Sequence, residues 1–309
     1  MAARDDRTAP LARYEPLVSD REAFRAACRR PLPIAVRVNT LRADPEAAVV
    51  ALEDEGIPVS PVEWDRSLLE LDTDSPGRTW PYVQGWIHGQ ELVSALPAPL
   101  VAPEPGDVVL DSCAAPGSKA SHLAACMADE GTLIANDASL GRLSALRSNL
   151  DRLGVTSAVV TNRDGRHLTP DALGIDAVDA TLVDAPCSCE GTIRKNPDAL
   201  DNWSEAGLAE LAETQTALLR RAVRLTRPGG RVVYATCTFA PEENEAVVDT
   251  ILRTEACDMR RVELPIVTRP GLTEWRDTTF DQSLRQARRI YPHLNDTGGF
   301  FIAALEVTG

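Results

Sequence analysis

Two short segments of this 309-residue chain carry thiols in settings where a thiol can react. DAPCSCEG (184–191) places Cys187 and Cys189 two positions apart, after an aspartate and a proline. YATCTFAPEENE (234–245) places Cys237 directly after an apolar run. Nucleophilic catalysis, metal binding and redox chemistry all use cysteine. A zinc half-site needs a second pair of ligands, and the four histidines, His88, His122, His167 and His293, have no paired spacing, so no metal is expected. His293 is read as ordering a loop. A redox dithiol favours Cys-x-x-Cys, which is absent. The seven cysteines are odd in number, and MAARDDRTAP lacks the apolar stretch of a leader. Reduced thiols in a cytoplasmic protein follow. Cys28, Cys113, Cys126 and Cys257 are read as small structural residues, which leaves Cys187, Cys189 and Cys237 as the reactive candidates.

The elements that must position them alternate strand and helix. VVLDS (108–112), TLIAND (132–137), SAVVTN (157–162), VDATLVD (178–184) and RVVYAT (231–236) are short apolar strands. Helical stretches separate them: SKASHLAACMA, SLGRLSALRSNLDRLG and a long helix near 207–226 that closes at RPGG. EENEAVVDTILRT is a further helix, and the strand FFIAALEV ends the pattern. Such alternation gives an α/β fold with a parallel, doubly wound sheet and right-handed crossovers. Upstream, REAFRAACRR is a helix after Ser19-Asp20, PLPIAVRVNTLR a strand, PEAAVVALEDEG a helix and IPVSPVEW extended chain, together a small α+β module. PAPLVAPEPGD (97–107) reads as a proline-rich linker.

Ligands of doubly wound sheets bind beyond the carboxyl ends of the strands. DSCAAPGSK (111–119) follows the first strand, and its small residues Ala114, Ala115 and Gly117 let backbone approach a ligand at a helix N-terminus. Asp137, Asp164 and Asp184 end the next three strands. Asp137 is placed to accept hydrogen bonds from a ribose diol. A phosphate-cradling loop needs G-x-x-x-x-G-K-[ST], which Gly117-Ser118-Lys119-Ala120 fails, and no G-x-G-x-x-G is present. S-adenosylmethionine has no phosphate and fits this pattern. Cys237 ends the strand next to the one that delivers DAPCSCEG, so Cys187 and Cys237 reach the same rim. A methyl acceptor that needs a thiol is the pyrimidine ring. Thiolate addition at carbon 6 makes carbon 5 nucleophilic, and a base then removes the carbon 5 proton as the thiolate leaves. The helix expected from about Pro241 would lower the Cys237 pKa. Asp184 is the candidate acid near ring nitrogen 3.

VLDSCAAPGSK, ANDASLGR, NRDGR, DAPCSCEGTIRKNP and YATCTFAPEENE, in that order, resemble the NOL/NOP/Sun (NSUN, RsmB-like) RNA 5-methylcytosine methyltransferases. RVNTLR, GQELVS and YPHLNDTGGFFIA match flanking motifs. The resemblance implies a class I methyltransferase fold, with Cys237 as nucleophile and Cys187 assisting release of the methylated base. It implies that Cys113, Ala114, Ala115, Pro116, Gly117, Ser118 and Lys119, with Asp137, Arg142, Asp164 and Asp184, hold S-adenosylmethionine. The family commonly has glycine where this chain has Cys189, a thiol to which no role is assigned. The expected division is 1–95, a small module that helps grip RNA, and 96–309, the methyltransferase domain.

The net charge of −14 excludes a simple basic nucleic-acid binder. Acid-rich, arginine-over-lysine composition suits a high-salt, archaeal host, GC-rich coding equally favours arginine over lysine, and RNA recognition is expected to use shape and a local groove. The only lysines, Lys119 and Lys195, both fall inside motifs. Arg194 and Lys195 in GTIRKNP are expected to meet RNA phosphates. The resemblance implies tRNA or rRNA as substrate; a monomer is expected, with no membrane partner, since no apolar run approaches the roughly 20 residues a span requires. Three other classes compete: a non-catalytic RNA-binding or ribosome-assembly factor of the same fold, a DNA methyltransferase using the Pro-Cys thiol, and a metal-dependent redox protein.

Overall fold

A computed structural model describes residues 8–201 and 203–309. Residues 1–7, part of the stretch read above for a leader, lie outside the described residues. The helix Arg21–Arg29 starts where expected, with the Asp20 side chain accepting from Ala23 N at 2.8 Å. Strands β1 (Ile34–Val38), β2 (Val59–Val62), β3 (Asp65–Leu71) and β4 (Ile87–Gly89) form an antiparallel sheet in the order β2-β3-β1-β4. The helix Pro45–Asp54 packs its Ala48 and Leu52 onto it with Val36, Val38 and Leu69.

The large sheet begins with β5 (Val108–Asp111), β6 (Thr132–Asn136), β7 (Ala158–Thr161), β8 (Val178–Asp184) and β9 (Thr226–Thr236). These five are parallel, in the order β7-β6-β5-β8-β9. β5, β6 and β8 are buried in the middle of the sheet and read as unbroken apolar runs, whereas the edge strand β7 leaves Val159 exposed. The strand order reverses at β5, so the crevice for a ligand lies between β5 and β8. Beyond β9 the expectation of an all-parallel sheet gives way. After β10 (Cys257–Arg260), β11 (Arg269–Pro270), β12 (Glu274–Trp275), β13 (Thr278–Thr279) and β14 (Arg288–Ile290), β15 (Phe300–Val307) runs antiparallel to β9. β10 and β14 pair antiparallel with β15, and β11 with β14. The physical reason is the connection: between β14 and β15 lies only the short Pro292–Asn295 helix and a turn, too little chain for a crossover.

The stretch expected to be a linker is instead packed. Pro97–Val101 is helical, and its Ala98 and Val101 join the core with Val109, Leu182 and Val233. Proline suits the first turn of a helix, where its missing N–H is not needed. The small sheet is also tied to the large one by polar groups. Arg37, fully buried, donates to Ser121 Oγ at 2.9 Å, and Asn39 Nδ2 donates to the carbonyls of Gly85 and Leu153. Among the described residues no helix is long and apolar enough to cross a membrane.

Candidate active site

A cleft of about 610 Å³ opens at the β5–β8 switch point, a size typical of small-molecule sites. The turn after β5 forms its floor. Gly117 has φ +110, and a Cβ there would stand 3.2 Å from Leu146 Cδ1, so glycine lets this turn sit against the helix Leu140–Leu153. Cys113, Ala115 and Pro116 line the cleft, as do Asp137, Arg142, Asp164 and Asp184. The other residues of the same motif do not. Ala114 accepts from Gly117 N at 2.7 Å within the turn, Ser118 Oγ meets His88 Nε2 at 2.9 Å, and Lys119 points elsewhere.

Asp137 is buried, accepts from the amides of Ala115 and Ser139, and faces Arg142 at 3.3 Å. Arg142 also donates to the Ala115 carbonyl. Asp164 is held down to about 2 by the hydrogen bonds and charge of Arg166, 2.6 Å away. Each arginine of the cleft is thus matched by a carboxylate, and Asp184 adds a third acid. That donor set disfavours a phosphate-bearing ligand. It fits a phosphate-free nucleoside carrying a positive sulfonium.

A second, smaller cavity of about 140 Å³ adjoins the first. Its lining includes Glu91, Ser94, Lys119, Gly191, Lys195 and Phe300. Asp184 and Cys237 line both cavities and so form the partition between them. Lys119 Nζ donates to Asp184 Oδ2 at 2.8 Å and to Ser94 Oγ at 2.9 Å. Burial works against the Lys119 charge, but Asp184 beside it outweighs burial and raises its pKa. The ammonium therefore belongs to the small cavity, not to the cofactor turn as expected from the motif. Glu91, which the chain alone did not single out, is pushed up by burial against the hydrogen bonds it accepts from Gly298 and Ser94. Its signal was the GQELVS motif, but nothing local marks that glutamate as lining a cavity.

The thiols converge as the strand pairing requires. β8 and β9 pair in parallel, Asp184 opposite Ala235, and bring Cys187 Sγ to 3.3 Å from Cys237 Sγ. Cys189 Sγ lies 3.8 Å from Cys187 Sγ. Two supports fix the loops that carry them. Glu190, fully buried, accepts from Tyr14, Trp203, Ser188 and Thr238. Glu243 accepts from Ser188 and Gln215, and burial raises it to about 7. Gly191 N donates to the Cys237 carbonyl and Gly299 N to the Gly191 carbonyl. A Cβ on Gly191 would lie 2.2 Å from Gly299 O, so only glycine permits this approach.

The helix expected from Pro241 begins at Glu245. Asn244 is drawn back instead, with its amide donating to the Thr238 carbonyl and its oxygen accepting from Thr236. Helix-terminal stabilisation therefore does not reach Cys237. A hydrogen bond from Cys187 favours its thiolate, but the bond to Cys189, burial and neighbouring charge outweigh it and push the thiol up. Cys187 is pushed up by its bonds to Cys189 and Cys237 and then by burial, while Cys189 is pulled down because both neighbours donate to it. The first proton lost belongs to the cluster.

Arg194 is also corrected. Its guanidinium is buried and donates to the carbonyls of Arg30, Pro31 and Thr297 and to Asp296, so it ties the loop to the fold and is not presented to a phosphate at the surface. Lys195 is exposed at the mouth of the small cavity. His293 packs edge-on against Phe24, as a loop-ordering residue.

The model of the family described as 16S rRNA methyltransferase RsmB/F matches residues 98–306. The chain is 37% identical over 299 residues to a tRNA (cytosine(49)-C(5))-methyltransferase of Pyrococcus abyssi, covering 96% of this chain and 94% of that one. It is also 37% identical to the ribosomal RNA small subunit methyltransferase F of Vibrio parahaemolyticus, but covers only 59% of that longer protein. A crystal structure of a methyltransferase homologue from Pyrococcus horikoshii superposes with a TM-score of 0.85 at 31% identity, covering 98% of both chains. With its two cavities meeting at Cys237 and Asp184, the chain belongs to the RsmB/F methyltransferase family.

Proposed function

We propose that this chain is an S-adenosylmethionine-dependent methyltransferase acting on carbon 5 of a cytosine in tRNA or rRNA, through a covalent adduct on Cys237. The observation that carries the reading is the partition. One thiol and one ion-paired carboxylate stand between a cleft fit for a nucleoside and a pocket fit for a planar ring.

Asp137 and the turn Cys113–Pro116 hold the cofactor, and S-adenosylmethionine, when bound, supplies the methyl group that carbon 5 takes. The target base is turned out of its stack to enter the small cavity. Cys237 Sγ releases its proton to solvent through the open cleft that it lines, and the thiolate bonds to carbon 6, which makes carbon 5 electron-rich. The negative charge that addition places on the ring is met by the Lys119 ammonium, 2.8 Å from Asp184. Asp184 thus steadies the base as one end of an ion pair, with the pair holding the proton at ring nitrogen 3. After carbon 5 has gained its methyl, Cys187, having first released its own proton to solvent through the open cleft, takes the carbon 5 proton as a thiolate. The carbon 6–sulfur bond then breaks, and its electrons return to Cys237. The 3.3 Å between the two sulfurs keeps Cys187 at the reacting edge. The small N-terminal sheet helps grip RNA around this site in the cytoplasm.

Cys237→Ala should lower methyl transfer from tritiated cofactor by at least about four orders of magnitude, the scale seen when a nucleophile is lost. Cys187→Ala should instead trap an enzyme–RNA complex that survives a denaturing gel. A complex trapped by Cys237→Ala and not by Cys187→Ala reverses the two roles. Full activity with neither effect removes the covalent reading and favours an RNA-binding factor.

A further inference from the structure

We propose that Cys187, Cys189 and Cys237 together form a binding site for one soft, thiol-seeking metal ion of the Zn²⁺ and Cd²⁺ class, and that an ion seated there reversibly blocks the enzyme. Among the described residues these three make the one cluster of His, Cys, Asp or Glu side chains whose ligand atoms all fall within 4.8 Å of one another. The measured separations are 3.3 Å for Cys187–Cys237 and 3.8 Å for Cys187–Cys189. Zinc–thiolate bonds of about 2.3 Å in tetrahedral or trigonal geometry require sulfurs roughly 3.8–4.0 Å apart. The Cys187–Cys189 separation meets the lower end of that range and the Cys187–Cys237 separation falls about 0.5 Å short of it, so an ion can seat with small side-chain rotations.

The third ligand is there against the local preference of the backbone. Cys189 has φ 62 and ψ 20, left-handed space that favours glycine. Its side chain is nonetheless aimed at the other two sulfurs, and it also touches the Cys187 carbonyl at 3.1 Å. The frame around the sulfurs is pre-set. The Gly191 amide ties the Cys187–Cys189 loop to the Cys237 carbonyl, and Ser188 anchors the same loop on Glu243. Preorganised ligands on fixed loops favour metal capture. All three thiols line the open cleft, which gives an ion its path in. Thiolates select zinc and cadmium over magnesium and calcium, which prefer oxygen.

Binding needs no redox partner. Each participating S–H bond breaks, its proton passes to solvent, and an S–metal bond replaces it. Cys237 held by an ion shares its thiolate charge with the metal and is drawn toward the other two sulfurs and away from carbon 6, so methyl transfer stops and a chelator restores it.

The test titrates the full, reduced chain with Cd²⁺ and reads the ultraviolet thiolate-to-cadmium charge-transfer band. The parent should saturate at one ion with the intensity of three thiolates. Cys189→Gly and Cys189→Ser should show the intensity of two, and lose at least about a hundredfold in affinity by competition with Zn²⁺, since even outer-shell changes cost up to that much. Cys189→Gly relieves the left-handed backbone, so its folding is not at risk. A second arm, which alone rests on the proposed activity, measures zinc inhibition of methyl transfer. Measured against its own metal-free rate, Cys189→Gly should need at least about a hundredfold more zinc than the parent to be inhibited. Equal cadmium spectra in parent and variants, or no band in the parent, overturn the site. A three-thiolate band in a chain that does not methylate upholds the site and removes the activity reading instead.

Discussion

The wide cleft takes most of its lining from strand ends, each within a few residues of its own strand: Cys113 after β5, Asp137 after β6, Asp164 after β7 and Asp184 at the end of β8. The small cavity gathers Glu91 and Ser94 from beside the N-terminal sheet, Lys119 from the helix Ser118–Cys126, Gly191 and Lys195 from the loop after β8, and Phe300 from β15. Their charges differ as much as their origins. The cleft is rich in carboxylates, and its arginines are matched by Asp137 and Asp164. The cavity holds both lysines of the chain. Acids suit a cationic sulfonium, and an ammonium suits a ring that gains negative charge. The same partition therefore faces two opposite electrostatic demands, and Asp184 serves both by pairing with Lys119.

The strongest way to break this division is to remove Lys119. Lys119→Ala leaves Asp184 with an uncompensated charge, a loss of about 3–5 kcal/mol when a buried pair is broken. Single-turnover methylation should fall by roughly two to three orders of magnitude. Cofactor affinity by calorimetry should move by less than about threefold, because Lys119 does not line the cleft. Lys119→Arg should not rescue, since a planar fork cannot occupy the place of a compact ammonium between Asp184 and Ser94. An equal loss of cofactor affinity would merge the two cavities into one site.

The acid-rich side carries a cost that pH exposes. Asp111, fully buried at the end of β5, meets no hydrogen bond of good geometry at either oxygen. Burial first, and then the Asp184 charge, raises it from 3.8 to about 7, with Lys119 opposing. The folded state therefore keeps a proton that the unfolded chain has lost. Stability from this group is complete below about pH 4 and is lost as pH rises to about 7, up to about 4 kcal/mol in all. Asp111→Asn should be progressively more stable than the parent between pH 4 and 8 in urea unfolding. A difference that stays flat with pH removes this account.

How much of this was legible in the chain follows the same contrast. Strands buried in the sheet read as apolar runs, and most cleft residues sit beside one of them, so β5 to β9 and the rim they share were readable. The meeting of Cys187 and Cys237 followed from strand pairing alone. The small cavity was not readable, because its walls come from segments that meet only in the folded chain. Lys119 lies in the cofactor motif yet reaches across to Ser94. Arg194 looks like a phosphate contact until Pro31 and Thr297 are seen to take its hydrogens. FFIAALEV was readable as a strand but its antiparallel direction was not, because a buried strand's apolar pattern does not carry its direction.

A smaller effect sharpens the cofactor side. Asp137→Ala should weaken cofactor binding by about 1.5–3 kcal/mol, the worth of hydrogen bonds to a charged group. Capture of an RNA oligonucleotide without cofactor should be unchanged. Loss of RNA capture would show that Asp137 shapes the small cavity as well.

The smallest effect separates the neighbours Arg194 and Lys195. Lys195 is exposed at the cavity mouth, and Arg194 is buried on internal carbonyls. One phosphate contact changes the slope of log affinity against log salt by about 0.7–0.9. Lys195→Ala should reduce that slope by one such step and weaken RNA binding severalfold at moderate salt, with unfolding unchanged. Arg194→Ala should lower the melting temperature and leave the slope alone, because the carbonyls it abandons belong to the protein. If the slope falls for Arg194→Ala and not for Lys195→Ala, the buried guanidinium opens to meet RNA, and the mouth of the small cavity is formed by the loop after β8 in a different conformation.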